Sequence, residues 1–187
     1  MKISPQIPPT ALYIHIPWCV KKCPYCDFNS HPKNHGYQET EYTNALIKDI
    51  RAFATEHNPV CLQSIFFGGG TPSLFSGKSI DRILNATHKY FRVVDTAEIS
   101  LESNPGTYDC GHYREYFQSG INRLSIGAQS FNDSALTKLG RIHSANEIRE
   151  ATVAAFDSGF TNINLDLMYG LPGQSVALAA NDLYEAI

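Results

Sequence analysis

The spacing of hydrophobic positions alternates along the chain between a period of two and a period of three to four. Residues 11–17, "ALYIHIP", set Ile14 and Ile16 against Tyr13 and His15, the alternation of a half-buried strand. Residues 37–57 place Tyr42, Leu46, Ile50 and Phe53 at helical spacing. This pair of patterns recurs four times. Strands are predicted at 62–67, 97–105, 122–130 and 162–170, and helices at 79–91, 112–120, 144–159 and 175–187. The helix at 144–159 opens on a capping box, Ser144 with Glu147, and stops at Gly159. The repeat is one of pattern, without residue identity.

Five strand–helix units predict an α/β fold with a parallel sheet and right-handed crossovers. The candidates are a doubly wound open sheet and a (β/α) barrel or part of one. Strands buried on both faces read as continuous apolar runs, and several here do not. Ile99 and Leu101 alternate with Ser100, Glu102 and Asn104. Leu124, Ile126 and Ala128 alternate with Ser125, Gly127 and Gln129, and Ile163, Leu165 and Leu167 with Asn162, Asn164 and Asp166. The polar parity is either a solvated sheet face, which requires crossover helices on one side only, or the lumen of a partial barrel around a polar ligand. Glu102, Gln129 and Asp166 fall near strand C-termini, as does the "GGG" of 68–70. Barrels gather their catalytic residues there.

At 187 residues the chain is the size of one domain. A composition 43% hydrophobic and 18% charged, with net charge −3, argues against disorder. It also supplies no basic field of the kind nucleic-acid binding uses, so no nucleic-acid partner is expected. The apolar run at 11–18 is too short to span a bilayer and carries His15 and Pro17. It also lacks the pattern of a cleaved leader. Three of the five cysteines lie within eight residues, which fits a reducing, cytoplasmic setting and a metal site better than a disulfide framework. Cys61 and Cys110 read as small hydrophobes, buried or partly buried.

The three clustered cysteines, Cys19, Cys23 and Cys26, follow the first strand directly. Cys23 and Cys26 alone have the spacing of a redox pair, which leaves Cys19 without a task. A zinc site would need a fourth ligand, such as His15 or His31. An iron–sulfur cluster held by three thiolates keeps one iron open to a ligand. The second signal, "FFGGGTPS" at 66–73, lets backbone N–H groups approach an anion or carboxylate closely, or is a tight turn that needs positive φ. His15, His31, His35 and His143 are expected to pack in the lumen or to lend polarity to loops.

The motif C-x3-C-x-aromatic-C, present as Cys19, Cys23, Tyr25 and Cys26, resembles that of the radical S-adenosylmethionine (SAM) superfamily. The stretches "LYIHIPWCVKKCPYCDFNSH", "FFGGGTPSL", "AEISLESNPGT", "NRLSIGAQSF", "LGRIH" and "NLDLMYGLPGQ" are similar to one branch of it. That branch holds oxygen-independent coproporphyrinogen III dehydrogenase and a related haem chaperone. The resemblance implies a partial (β/α) barrel. In it Cys19, Cys23 and Cys26 hold a [4Fe–4S] cluster whose open iron chelates the amino and carboxylate groups of SAM. Gly69, Gly70 and Thr71 would hold the methionine end by backbone contacts, and Tyr13 and Tyr25 would line the cofactor. Glu102, Gln129, Arg141 and Asp166 match SAM-contacting positions. The superfamily's chemistry is transfer of one electron to the sulfonium, which releases methionine and a 5′-deoxyadenosyl radical.

Two features bear on the branch. Phe28 stands where the resemblance implies a further cysteine in the dehydrogenase, and "LGRIH" follows the chaperone pattern. The implied function is therefore haem delivery to an acceptor protein, with an electron donor as a second partner. The alternatives are a coproporphyrinogen III dehydrogenase, and a nonenzymatic metal-storage or scaffold fragment. The family barrel has a sixth strand and a C-terminal domain that carries the haem-binding segment. Residues 1–187 are accordingly expected to be a radical SAM core domain with about five β/α units, truncated at its C-terminal end.

Overall fold

The computed structural model describes residues 10–33, 37–57, 60–106 and 110–187, so His35 lies outside the described residues. Strand β1, Thr10–Ile16, leads through the two-residue strands β2, Trp18–Cys19, and β3, His31–Pro32, to helix α1, Glu39–Glu56. β4, Cys61–Gly69, ends in a 3-10 turn, Pro72–Leu74, before α2, Gly77–Tyr90. β5, Arg92–Ser103, precedes the short α3, Tyr113–Gln118, and β6, Arg123–Gln129. Then come α4, Asp133–Lys138, α5, Ala145–Asp157, β7, Ile163–Leu167, and α6, Val176–Ala186.

The five long strands form one sheet in the order β1-β4-β5-β6-β7, and every neighbouring pair is parallel. Each new strand is therefore laid beside the preceding long one. The register sorts side chains into rows that cross the sheet. Ile14, Phe67, Leu101, Leu124 and Ile163 share one row, and Leu12, Ile65 and Ile99 share another. These rows belong to the main core, together with Ile80, Ile83, Leu84, Tyr113, Tyr116 and Phe160 from the helices and connections. Burying each such large apolar side chain contributes roughly 1.5–3 kcal/mol. On the opposite parity Glu102, Ser125 and Asn164 share a row. The alternation read from the sequence thus separates a helix-covered face from a polar one.

β1 and β7 are the sheet edges among the described residues, and Ile163, Leu165 and Leu167 of β7 are half-buried. Cys61 and Cys110 are partly buried, in line with expectation. The structure adds elements that the pattern does not predict. β2 and β3 are two residues long, and α4 six, too short to show a period. β5 starts five residues before the alternation does, at Arg92, where Arg92 and Val93 pair with Cys61 and Leu62 ahead of a register shift.

Glu39, at the start of α1, ties the first two helices together. Its carboxylate accepts hydrogen bonds from the Ser76 amide at 2.9 Å, the Ser76 and Ser79 hydroxyls at 2.5 and 2.6 Å, and the Tyr37 hydroxyl at 2.9 Å. Ser76 is also the N-cap of α2. Partial burial opposes the charge of Glu39, but these donors outweigh it and hold the carboxyl below its ordinary range. A group depressed in the fold stabilises it above the unfolded value of 4.5 and loses that effect as pH falls through the folded value. Glu39→Ala is expected to cost about 1–2 kcal/mol in urea unfolding at neutral pH, and an unchanged midpoint would refute the clamp.

Candidate functional site

The cysteine loop is fastened at both ends. Trp18 and Cys19 pair with His31 and Pro32, and the Lys33 amide donates to the Cys19 carbonyl at 2.8 Å. Below the loop the Trp18 ring meets Tyr42, Tyr37 and Phe75. Such aromatic pairs add about 0.5–1.5 kcal/mol each beyond their burial. Inside the loop the Cys26 amide donates to the Cys23 carbonyl at 3.1 Å, and Lys22 Nζ donates to the carbonyls of Phe28 and Ser30. His15 of β1 contacts the Asn29 carbonyl through Nε2 at 2.8 Å and the Tyr13 hydroxyl through Nδ1 at 3.1 Å.

The glycine turn is joined to the same segment. The Gly70 amide donates to the Ile16 carbonyl and the Thr71 amide to the Trp18 carbonyl, each at 2.7 Å. A Cβ on Gly70 would lie 2.6 Å from the Trp18 oxygen. Gly69 has φ +116°, a conformation that side chains resist, and its flat backbone receives the His15 ring. Gly70 is thus demanded by the approach of a second backbone, and Gly69 by its own conformation and the His15 ring.

A cleft of about 190 Å³ opens between the cysteine loop, the glycine turn and the C-terminal ends of β4 to β7. Cys19, Cys23, Cys26, Tyr25, Gly69, Gly70, Thr71, Glu102, Gln129, Arg141 and Asp166 all line it. Tyr13 does not. Its ring is 55% exposed and stacks near Phe66 on the cleft side of the sheet, beside Glu102. No three His, Cys, Asp or Glu side chains among the described residues are gathered tightly enough to hold a single metal ion. Three thiols opening onto one cleft are the soft donor set that an iron–sulfur cluster takes.

One side wall of the cleft is a hydrogen-bonded chain. Arg141 donates to the Cys23 sulfur at 3.7 Å, to Asn104 Oδ1 at 2.6 Å and to the Gly127 carbonyl at 3.0 Å. Asn104 in turn donates to the Thr71 hydroxyl at 3.1 Å. Arg141 is therefore held rather than solvated. Asn104 is not among the site residues that the sequence predicts, although it shares the parity of Glu102. Nor are Ser125 and Asn164, which donate to the Asp166 carboxylate at 3.0 and 2.7 Å.

Gln129 sits at a register shift between β6 and β7 with φ 60°, the only left-handed non-glycine among the described residues. It is 9% exposed, and its Oε1 has no hydrogen-bond partner. A buried acceptor left unpaired costs about 1–3 kcal/mol, and this one lies in the lining of the cleft. On the opposite wall burial raises the Glu102 carboxyl; the Gly69 amide at 3.1 Å opposes that, and the Asp166 charge adds to it. A half-buried carboxyl whose charge is disfavoured by its surroundings suits a cationic ligand. Burial also raises the Tyr25 hydroxyl, which lies beside Arg141 and Cys23, and the Tyr13 hydroxyl, with Glu102 adding to the latter.

The model of the radical SAM superfamily matches residues 13–179. The chain belongs to the radical SAM superfamily. It is 49% identical, over 98% of its length, to the heme chaperone HemW of Haemophilus influenzae, and 43% identical over 97% to that of Escherichia coli. The matches cover 49% and 48% of those relatives, so the chain spans about half their length. Among solved structures it resembles coproporphyrinogen III oxidase (HemN) of Escherichia coli, described as a radical SAM enzyme. That match has TM-score 0.84 and 31% identity, over 95% of this chain and 41% of that one. The α/β sheet corresponds to the partial barrel of this radical SAM fold. A superfamily that implies a cluster and SAM finds in this cleft three thiols, an unpaired amide oxygen and two acids.

His143, two residues after Arg141, is 6% exposed and contacts the Ala128 carbonyl at 3.2 Å. Burial first, and then the Arg141 charge, lower its pKa from 6.5 to about 4. The unfolded chain therefore binds the proton that the fold refuses. Stability contributed by neutral His143 is complete above about 6.5 and is lost as pH falls toward about 4. His143→Gln should flatten the pH dependence of unfolding across that window, and an unaltered slope would remove His143 as its source. Gly70→Ala should destabilise the protein by roughly 1–3 kcal/mol through the Trp18 carbonyl, and wild-type stability would contradict the joint described above.

Proposed function

We propose that this chain is the radical SAM core of a cytoplasmic haem chaperone, which delivers haem to an acceptor protein. Residues 1–187 are read as one such core domain. The observation that carries the reading is the opening of Cys19, Cys23 and Cys26 onto one cleft with Phe28, 61% exposed, where the dehydrogenase pattern has its further cysteine. The names of relatives at 43–49% identity support it. No helix among the described residues is long and apolar enough to cross a membrane.

In this reading the three cysteine thiolates hold a [4Fe–4S] cluster, and SAM lies across the strand ends. When bound, the pair supplies one-electron cleavage of the sulfonium. The chain's own residues bind and orient. Arg141 places its charge beside the Cys23 sulfur and fixes the loop to Asn104 and Gly127. Gln129 offers its unpaired oxygen to a donor on the ligand. Glu102 and Asp166 supply negative charge for the sulfonium and ammonium, while Tyr25 and the Gly69–Thr71 turn narrow the cleft. Tyr13, beside Glu102, meets His15 through its hydroxyl and would flank the cofactor from β1. Haem binding, the acceptor and the electron donor are proposed for the whole protein.

A coproporphyrinogen III dehydrogenase is the second reading, favoured by the likeness to HemN. Anaerobic reconstitution separates the outcomes. Iron, sulfide and electron paramagnetic resonance measurements should show a cluster in the wild type and its loss in Cys23→Ala; retention there would end the cluster assignment. Asp166→Ala should weaken SAM binding about tenfold, roughly 1.4 kcal/mol, and unchanged calorimetry would reject the cleft as the SAM site. A full-length version, reduced and loaded, should release no CO2 from coproporphyrinogen III, and sustained turnover would favour the dehydrogenase.

A further inference from the structure

Asn104, one residue past the end of β5, uses both ends of its side-chain amide. Its Oδ1 accepts from Arg141 Nη2 at 2.6 Å, and its Nδ2 donates to the Thr71 hydroxyl at 3.1 Å. Thr71 is buried, and its own amide belongs to the joint with Trp18. The Asn104 carbonyl accepts from the Ser103 hydroxyl, which also meets the buried Tyr113 hydroxyl. Asn104 is therefore fixed at its backbone and at its far end. Arg141 lies in the loop after α4. Its Nη2 is taken by Asn104 and the Gly127 carbonyl, which leaves Nη1 directed at the Cys23 sulfur. A Cβ on Gly127 would stand 3.3 Å from that Nη2 and 3.4 Å from the Asn104 oxygen, so the glycine leaves the pair its room.

The acceptors around this cation are an amide oxygen, a backbone carbonyl and a thiol. Among the described residues no carboxylate forms an ion pair with Arg141. Arg141 is partly buried, so its charge is less screened than that of Lys21, which lines the same cleft but is exposed. An aspartate at position 104 would have nearly the same shape and would bind the guanidinium more strongly, but it would cancel the charge. The asparagine orients the cation without neutralising it.

We propose that Asn104 is a positioning residue for the cluster: its neutral amide aims the uncancelled charge of Arg141 at Cys23 and so raises the reduction potential of a cluster bound there. The inference rests on the cluster assignment proposed above. Reduction adds one electron to the cluster and takes one from the reductant, with no bond made or broken. A fixed cation beside a ligand sulfur favours the added negative charge. Charge and hydrogen bonds at the sulfurs are among the factors that set such potentials. Thr71, at the other end of the bridge, ties this setting to the same joint that holds the cysteine loop.

The test poises the anaerobically reconstituted chain at set potentials with mediator dyes and follows the reduced cluster by electron paramagnetic resonance. Asn104→Asp, close in shape but anionic, should disfavour reduction about tenfold, a downward shift of about 59 mV for one electron. Asn104→Ala keeps the net charge but frees the guanidinium, and should disfavour reduction by less, about threefold. Iron and sulfide content should match the wild type in both. Equal potentials in wild type and Asn104→Asp would overturn the proposal. Should Asn104→Asp not fold by circular dichroism, the Asn104→Ala potential decides, and a wild-type value there overturns the proposal too. A folded variant that takes up no iron also counts against it, because Asn104 would then be scaffold for the cysteine loop. A wild-type chain that takes up no iron and sulfide would instead defeat the cluster assignment, so the two failures are distinguishable.

Discussion

The site depends on a backbone-to-backbone joint. The amides of Gly70 and Thr71 reach the carbonyls of Ile16 and Trp18, and the space between them leaves no room for a side chain at Gly70. This contact locks the end of β4 to the segment that launches the cysteine loop. Two loops that neither sequence period nor helix packing would position are thereby held as one unit. Trp18 then transmits the joint downward, because its ring is wedged among Tyr37, Tyr42 and Phe75 over the α1 side of the core. A buried apolar core can thus dictate where three thiols stand.

The sheet contributes its polar parity. The row of Glu102, Ser125 and Asn164 exists because adjacent parallel strands are in register, and the Ser125 and Asn164 side chains orient Asp166. Glu102 answers to the glycine turn through the Gly69 amide, so the floor of the cleft is tied to its rim. Arg141 closes the third side from a loop beyond α4. It reaches an amide oxygen, a backbone carbonyl and a thiol together. A guanidinium, with several donors in a fixed plane, can thereby act as structural pin and local charge at once.

The alternation of apolar and polar residues makes the strand–helix order, the helix-facing rows and the cleft-facing parity legible in the sequence. The cysteine spacing and the glycine run show where chemistry lies. Strand parity does not carry the tertiary contacts. Asn104 lies two residues beyond Glu102 on the same face, but its bridge from Arg141 to Thr71 needs three separate loops to meet. β2 and β3 exist only because the loop ends are brought side by side. Tyr13 has the parity of Glu102 and lies beside it, and the sequence does not show that its hydroxyl meets His15. The glycine run reads in the sequence as a close approach or a tight turn, and it does not show that the Trp18 carbonyl packs against Gly70.

Gln129 shows how such a site differs from ordinary scaffold. A left-handed residue is usually glycine or asparagine, because a longer side chain costs about 1–3 kcal/mol there unless its surroundings hold it. Here the Gln129 carbonyl is fixed by the Met168 amide at 2.9 Å, and Ala128 just before it is buried against Leu136 and Ile148. The strand cannot relax without breaking one of these. The side chain adds a second cost in its unpaired oxygen. Glycine would relieve both at once, and a fold selected for stability alone would favour it. A glutamine held in that conformation, with its oxygen unpaired, is strained scaffold at the lining of the cleft.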